Sequence, residues 1–313
     1  MVKRLMSCQT SDFEKMTAED LKQAVKANDG RTILAECLGA ISSPYSRSLT
    51  NAEVAKSVGA DLILLNGFNA FRPLIMGLPG VTLNEVLIDR SYTKYEAPLK
   101  KFKELVGRPI GVNLEPIDLE AAMNNERNQV SLGQTCTKET LEKAEAAGAD
   151  FICLTGNPGS GVTTKSIAAS IRISKQHFSG LIFAGKMHSS GSAEPVVTQA
   201  AVEAYAEAGV DVLLLPSIGT VPGFSEEDMK QAVDYAKAKG ILTMSTIGTS
   251  QETSSNNVIE QIALKNKIAG VDIQHIGDAG MFGSAPVEAI FALSSAIRGK
   301  KHTINMIARS IKR

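Results

Sequence analysis

Charge of one sign, paired cysteines and long apolar runs are all missing from this sequence, and each absence removes a class of function. Lysine plus arginine and aspartate plus glutamate both number 33 in 313 residues, so there is no basic surplus of the kind that general nucleic-acid or membrane-surface binding requires. Cys8, Cys37, Cys136 and Cys153 are scattered without a CxxC pair. That argues against a zinc knuckle or a disulfide framework and for reduced thiols. No run approaches the roughly 18 apolar residues of a membrane span, and the basic start, Met1 to Met6, has no apolar segment behind it. The expectation is a cytoplasmic protein with neither nucleic acid nor membrane as partner. HxH, HExxH and DxD spacings are also absent. No cofactor is therefore predicted, although Glu36, Glu115, His188 and His275 are residue types that bind a divalent metal.

What is present is a repeat. A Gly-(Ala/Val)-Asp triplet followed by mostly apolar residues occurs at Gly59, Gly148, Gly209 and Gly270, with further strand candidates at 31–37, 108–115, 181–188 and 241–247. Helical patterns at 50–58, 137–147, 163–178, 195–208, 224–239 and 285–298 alternate with them. Eight strands alternating with helices indicate parallel strands with crossovers, and the four-fold reiteration favours closure into a (β/α)8 TIM barrel, class α/β, over an open doubly wound sheet. The chain is read as one domain, 1–313, with the barrel core at about 30–298. An extra N-terminal helix capped by Thr17 is expected to close the barrel floor, and a short C-terminal helical extension from Arg298 is expected to be solvated. Three connections, 67–91, 116–136 and 248–256, are long enough to be functional, and the asparagine-rich 116–136 reads as mobile.

In such a barrel the C-terminal ends of the strands form the active-site mouth. Alternation places Glu36 inward on the first strand and Asn113 and Glu115 inward on the third; on the fifth it groups Lys186 and His188 inward, with Leu181 and Phe183 outward. Lys186 is a candidate phosphate or carboxylate clamp or Schiff-base lysine. His188 is a candidate acid/base, with Glu115 or Glu36 to orient it. For His275 the four-fold repeat, which aligns it with Leu64 and Cys153, argues inward; apolar alternation on its own strand argues outward. Asn66, Thr155, Asn157, Ser217, Thr246, His275 and Asp278 are candidate ligand contacts. Phosphate could be held by the loops after the seventh and eighth strands, at Gly248, Gly280, Gly283 and Ser284, with Ser284 capping the following helix. The loop after the fourth strand has the GxxxxG spacing of a nucleotide P-loop in Gly156 and Gly161, but Val162-Thr163 follow where Lys-Ser/Thr is needed. Its expected role is a lesser anion nest at Gly159 and Gly161.

The segments Thr50-Asn-Ala-Glu-Val, Gly59-Ala-Asp-Leu-Ile-Leu-Leu-Asn, Gly111-Val-Asn-Leu-Glu-Pro, Phe151-Ile-Cys-Leu-Thr-Gly-Asn-Pro-Gly, Ala184-Gly-Lys-Met-His and Pro216-Ser-Ile-Gly-Thr-Val-Pro-Gly together resemble a poorly characterised bacterial family of (β/α)8 proteins. Its members are sometimes labelled haloacid-dehalogenase-like hydrolases or phosphoenolpyruvate-phosphonomutase-like proteins. The first label requires a DxD motif that this chain lacks. The second implies a barrel with a phosphonate or carboxylate ligand, but its acidic metal cluster and cysteine loop are not evident. The sequence thus points to a barrel enzyme acting on a small anionic, phosphorylated metabolite by lyase, aldolase or isomerase chemistry. A metal-dependent hydrolase and a non-catalytic sugar-phosphate-binding regulator are the alternatives. Barrels usually associate symmetrically, so a homo-oligomer is expected.

Overall fold

A computed structural model describes residues 3–89 and 94–313. Eight parallel strands, β1 (Thr32–Leu38), β2 (Leu62–Asn66), β3 (Ile110–Asn113), β4 (Phe151–Leu154), β5 (Leu181–Gly185), β6 (Val212–Pro216), β7 (Leu242–Ile247) and β8 (Ile273–Ile276), pair in sequence order and close on themselves as β8 pairs with β1. The helices are α1 (Thr10–Phe13), α2 (Ala18–Lys26), α3 (Asn51–Ser57), α4 (Leu83–Ile88), α5 (Pro98–Val106), α6 (Lys138–Ala147), α7 (Thr164–His177), α8 (Gln199–Ala208), α9 (Glu226–Ala238), α10 (Asn256–Ala269) and α11 (Val287–Ala308). The α/β class and the TIM-barrel closure expected from the repeat are both present.

The repeat has a structural cause. Its glycine takes a positive φ just after α3, α6, α8 and α10, which ends each helix in the left-handed conformation that glycine adopts without strain. Its aspartate then reaches sideways to the neighbouring strand. Asp61 accepts from the N–H of Ile33 at 2.9 Å, Asp150 from Ile110 at 2.8 Å, Asp211 from Ile182 at 3.0 Å and Asp272 from Thr243 at 2.9 Å. Each even strand is thereby pinned to the odd strand before it at the barrel floor. Three of these carboxylates also meet cations: Asp61 meets Arg298, Asp150 meets Lys103, and Asp211 meets Lys22 and Lys175.

Both faces of every strand are buried. Leu34, Leu64, Phe151, Phe183, Leu214, Met244 and Ile273 fill the barrel, whereas Ile33, Ile63, Val112, Ile152, Ile182 and Leu213 pack against the helices. Helix α2 carries the expected reciprocal Thr17–Asp20 cap and adds Leu21, Ala24 and Val25 to the interior cluster, closing the floor. The C-terminal helix departs from the solvated reading. Arg298 is wholly buried, donates to Asp61 at 2.6 Å and to the Gly59 carbonyl, and precedes a break at Gly299, after which Thr303 and Met306 are again buried.

Connection 116–136 is not loose. Asn124 N–H donates to Gly191 O at 2.9 Å, Asn128 N–H to Gly159 O at 2.8 Å, and Arg127 to Ser160 O at 3.1 Å. Backbone donors that an asparagine-rich segment would leave to water are thus spent on the loops after β4 and β5. Of connection 67–91, residues 90 and 91 lie outside the described residues.

Candidate active site at the barrel mouth

The mouth encloses a cavity of about 600 Å³. Nine residues singled out from the sequence line it: Glu36, Asn66, Asn113, Thr155, Asn157, Gly159, His188, Gly248 and Asp278. Two networks fix their geometry. In the first, Glu36 accepts from Asn113 Nδ2 at 2.6 Å and lies 2.9 Å from His275 Nε2. His275 shares the inward side of β8 with Ile273, as the four-fold repeat indicates, and sits wholly buried behind the cavity wall. In the second, Glu115 accepts twice from Asn157, from its backbone N–H at 2.8 Å and its amide at 2.9 Å. Asn157 and Asn66 exchange amide hydrogen bonds at 2.9 and 3.1 Å, and Asn66 donates to Asp278 Oδ2 at 3.0 Å. Both oxygens of Glu115 are thus occupied in holding Asn157. Its geometry is that of an anchor for the amide chain rather than of an acid facing the cavity.

Lys186 corrects the reading of β5. Leu181 and Phe183 point into the barrel, where Phe183 stacks on Phe151 with ring centroids 4.6 Å apart, so Ile182 and Ala184 face the helices. Lys186 follows the outward set. Its ammonium lies 2.8 Å from Glu194 Oε2, and that carboxylate also accepts from the N–H of Thr164, the first residue of α7, at 2.9 Å. Gly185 sits where a Cβ would overlap the Leu214 carbonyl, so β5 closes tightly on β6 before the chain turns. His188 then enters the mouth from the turn rather than from strand alternation. The N–H at the start of α7 is thus taken by the protein's own Glu194, not by the glycines at which the anion nest was expected. Gly161 donates its N–H to Ser190 O at 3.0 Å and lies outside the lining.

Other expected contacts sit elsewhere. Ser217 faces α10 and accepts from Asn266 Nδ2 at 3.1 Å, because Leu214 and Pro216 occupy the opposite parity. Thr246 is inward but lies below the cavity and donates to Leu215 O at 2.9 Å. Gly280, Gly283 and Ser284 fold away toward β1: Leu38 N–H donates to Gly283 O at 2.8 Å, and Ser284 forms a bridge with Cys37. The cap of α11 is Pro286, not Ser284. Among the described residues lining the cavity there is no lysine or arginine.

Sequence reasoning missed Glu252. Ser250, at φ +76°, turns the loop after β7 inward, and a short 3-10 turn at Gln251–Thr253 carries Glu252 to the cavity wall, 1% exposed. Glu252 lies so close to Gly277 that a Cβ there would overlap its Oε1. A single glutamate in a polar loop has no periodicity to betray it. The only signal was the length of the loop.

Proton affinities in the mouth are displaced by burial. Burial raises the Glu252 carboxyl to about 7 and the Asp278 carboxyl to about 6; the neighbouring Glu36 charge pushes both the same way, and Asn66 partly opposes the shift at Asp278. Burial lowers the His188 imidazole below its usual range. His188 Nδ1 accepts the Ser190 backbone N–H at 3.0 Å. A proton on Nδ1 would face that N–H, so the ring is held neutral with its hydrogen on Nε2. All four cysteines are free, and burial pushes Cys37 up to about 12, far from a reactive thiolate.

Among the described residues no three His, Cys, Asp or Glu side chains are grouped to hold a metal ion, so the metal cluster implied by the phosphonomutase-like label does not fit this mouth. No described helix is long and apolar enough to cross a membrane.

Solved structures similar to this chain include an archaeal fructose 1,6-bisphosphate aldolase (14% identity, TM-score 0.51, covering 87% of this chain and 95% of that one). They also include a dihydrodipicolinate synthase from Oceanobacillus iheyensis (12%, 0.50, 90% and 78%) and a 2,3-dimethylmalate lyase of the PEP mutase/isocitrate lyase superfamily (17%, 0.48, 83% and 81%). At these identities the likeness is one of fold. No curated protein matches the sequence. A family model spanning residues 6–313 does match, and the chain belongs to that family, described as a domain of unknown function (DUF7916).

Proposed function

We propose that the mouth is an acid–base active site of the lyase or isomerase type, acting at a carbon next to a carbonyl of a small polar metabolite. The observation that carries this reading is the pairing, in one cavity, of an Asp278 carboxyl raised to about 6 with a His188 held as a neutral donor. Near neutral pH Asp278 is ionised yet retains enough proton affinity to remove a weakly acidic hydrogen. The Nε2–H of His188 is suited to stabilising the negative charge that develops on the carbonyl oxygen. The chain Glu115–Asn157–Asn66 holds Asp278 in place, so the base does not have to be ordered when substrate arrives.

An anionic group on the substrate, phosphate or carboxylate, would meet the hydroxyls of Ser189 and Ser250 at the rim rather than a lysine. One archaeal aldolase of the same fold is described with its catalytic lysine covalently bound to a carbinolamine intermediate. Here no lysine lines the cavity, so a Schiff-base route is not part of the proposal. The test is hydrogen exchange in deuterated water, followed by NMR over a panel of small carbonyl metabolites with and without phosphate. Wild-type protein should catalyse exchange at the carbon next to the carbonyl of at least one of them, and Asp278→Asn should lose it while keeping its fold. If ligands bind the wild-type mouth but no exchange or turnover follows, the protein is a binder and the proposal fails.

A further inference from the structure

Glu252 plays no part in the proton transfer proposed above, and its surroundings are unusual for a buried carboxylate. It is 1% exposed, its Oε2 has no hydrogen-bond partner, and among the described residues no lysine or arginine lines the cavity it borders. The carboxyl keeps a hydrogen bond from its own backbone N–H, but burying its second oxygen without a donor and without a lysine or arginine beside it is costly. The rest of the inner wall offers acceptors of the same kind. Asn113 turns its Nδ2 to the Glu36 carboxylate at 2.6 Å, which forces its carbonyl Oδ1 the other way, and that buried oxygen is also without a partner. Thr155 Oγ1 is a third buried oxygen in the same state. These are three unpartnered oxygens on three different elements, all belonging to residues that line one cavity.

Beside the hydroxyl and imidazole donors of the rim, these inner oxygens can take the donors of a ligand. We infer that the small carbonyl compound taken by the mouth also carries an amine and hydroxyls, its ammonium group paired with Glu252 and its hydroxyl hydrogens with Asn113 and Thr155. Gly277 supports the assignment from the other side. Any side chain there would displace the Glu252 carboxylate, so the bare backbone keeps this carboxylate at the wall. Burial, and after it the charges of Glu36 and Asp278, raises the proton affinity of Glu252, and a ligand's ammonium group would offset all three.

This inference deepens the acid–base reading by naming the substrate class, and its test measures binding alone, so the two can fail separately. Serinol and glycerol differ only in bearing an ammonium or a hydroxyl at the central carbon, and glycerate supplies an anion of the same size. Binding of each to the full chain is measured by saturation-transfer NMR, near neutral pH and with chelator present. Serinol should bind about tenfold more tightly than glycerol, the ratio expected when a neutral hydrogen bond is replaced by a charge-assisted one. The preference should disappear in Glu252→Gln, and Thr155→Val should weaken both ligands while leaving the preference in place, with melting curves confirming that both variants fold. Equal binding of serinol and glycerol, tighter binding of glycerate, no binding of serinol at all, or a serinol preference that survives Glu252→Gln would each overturn the inference. A serinol preference in a protein that catalyses no exchange would leave it standing and remove the enzymatic reading instead.

Discussion

Replacing Glu252 by glutamine should make the protein more stable at alkaline pH, the opposite of what loss of a buried polar residue usually does. The folded-state carboxyl titrates at about 7 against an ordinary value of 4.5. A group whose proton affinity is raised on folding contributes stability that is fully present below its unfolded value and is lost as the pH rises through the folded one. Each tenfold change in proton affinity is worth ~1.4 kcal/mol, so ionised Glu252 costs the folded protein about 3 kcal/mol. Most of that loss falls between about pH 5 and about pH 8. Glutamine keeps the shape of the protonated acid and cannot ionise. Urea denaturation at several pH values should therefore show the wild type losing about 2 to 3 kcal/mol over this interval more than Glu252→Gln does. Asp278 adds its own decline to both proteins, and because the two carboxyls repel, that decline is smaller in Glu252→Gln, which widens the difference in the same direction. Parallel pH profiles for the two would refute the claim that an unpaired carboxyl is buried at position 252.

Three further substitutions probe the frame around the mouth. Lys186→Met strands a Glu194 carboxylate that is 39% exposed and keeps the Thr164 N–H, so the loss should be about 1 to 2 kcal/mol in urea, below the ~3 to 5 kcal/mol of a fully buried pair. A melting temperature equal to wild type would show that the pair does not tie the turn after β5 to α7. Arg298→Met leaves Asp61 wholly buried without its cation and should cost the full ~3 to 5 kcal/mol, read by the same method. Gly277→Ala should cost about 1 to 3 kcal/mol by overpacking and should also flatten the pH dependence assigned to Glu252, because the displaced carboxylate moves toward solvent.

The barrel was legible because its signal is redundant. Four copies of one triplet, each ending a helix and pinning the neighbouring strand, survive errors in any single element. On β1 and β3 the inward residues Glu36 and Asn113 were also legible, since a polar group at the strand end breaks the apolar run on one parity only. β5 was not. Both its faces are apolar and buried, so alternation has no polar side to mark the surface, and Lys186 and His188 were the only charged guides. They mislead because Lys186 shares the outward parity of Ile182 and Ala184, while the turn after Gly185 brings His188, of the same parity, into the cavity. Glu252 was illegible for a different reason. Its importance lies in what surrounds it, a glycine wall and an absence of cations, and neither leaves a pattern in the sequence around it.

The glycine-rich loop after β4 links these outcomes. Its sequence suggested a site for an external anion at the start of α7, and the chemistry of that corner does attract one. The anion that arrives is Glu194, and its cation is Lys186. Filling the corner internally has two consequences for the mouth. It pairs the one lysine near the end of β5 on the outward side of the barrel, and the described lining of the cavity holds carboxyls, amides and hydroxyls with no lysine or arginine. It also anchors residue 194, so that the turn from Ser189 to Ser192 is held at both ends and Ser190 can present its N–H to His188 Nδ1. The neutral imidazole thus follows from burial and from the Ser190 N–H, in a turn that the Lys186–Glu194 pair helps to hold.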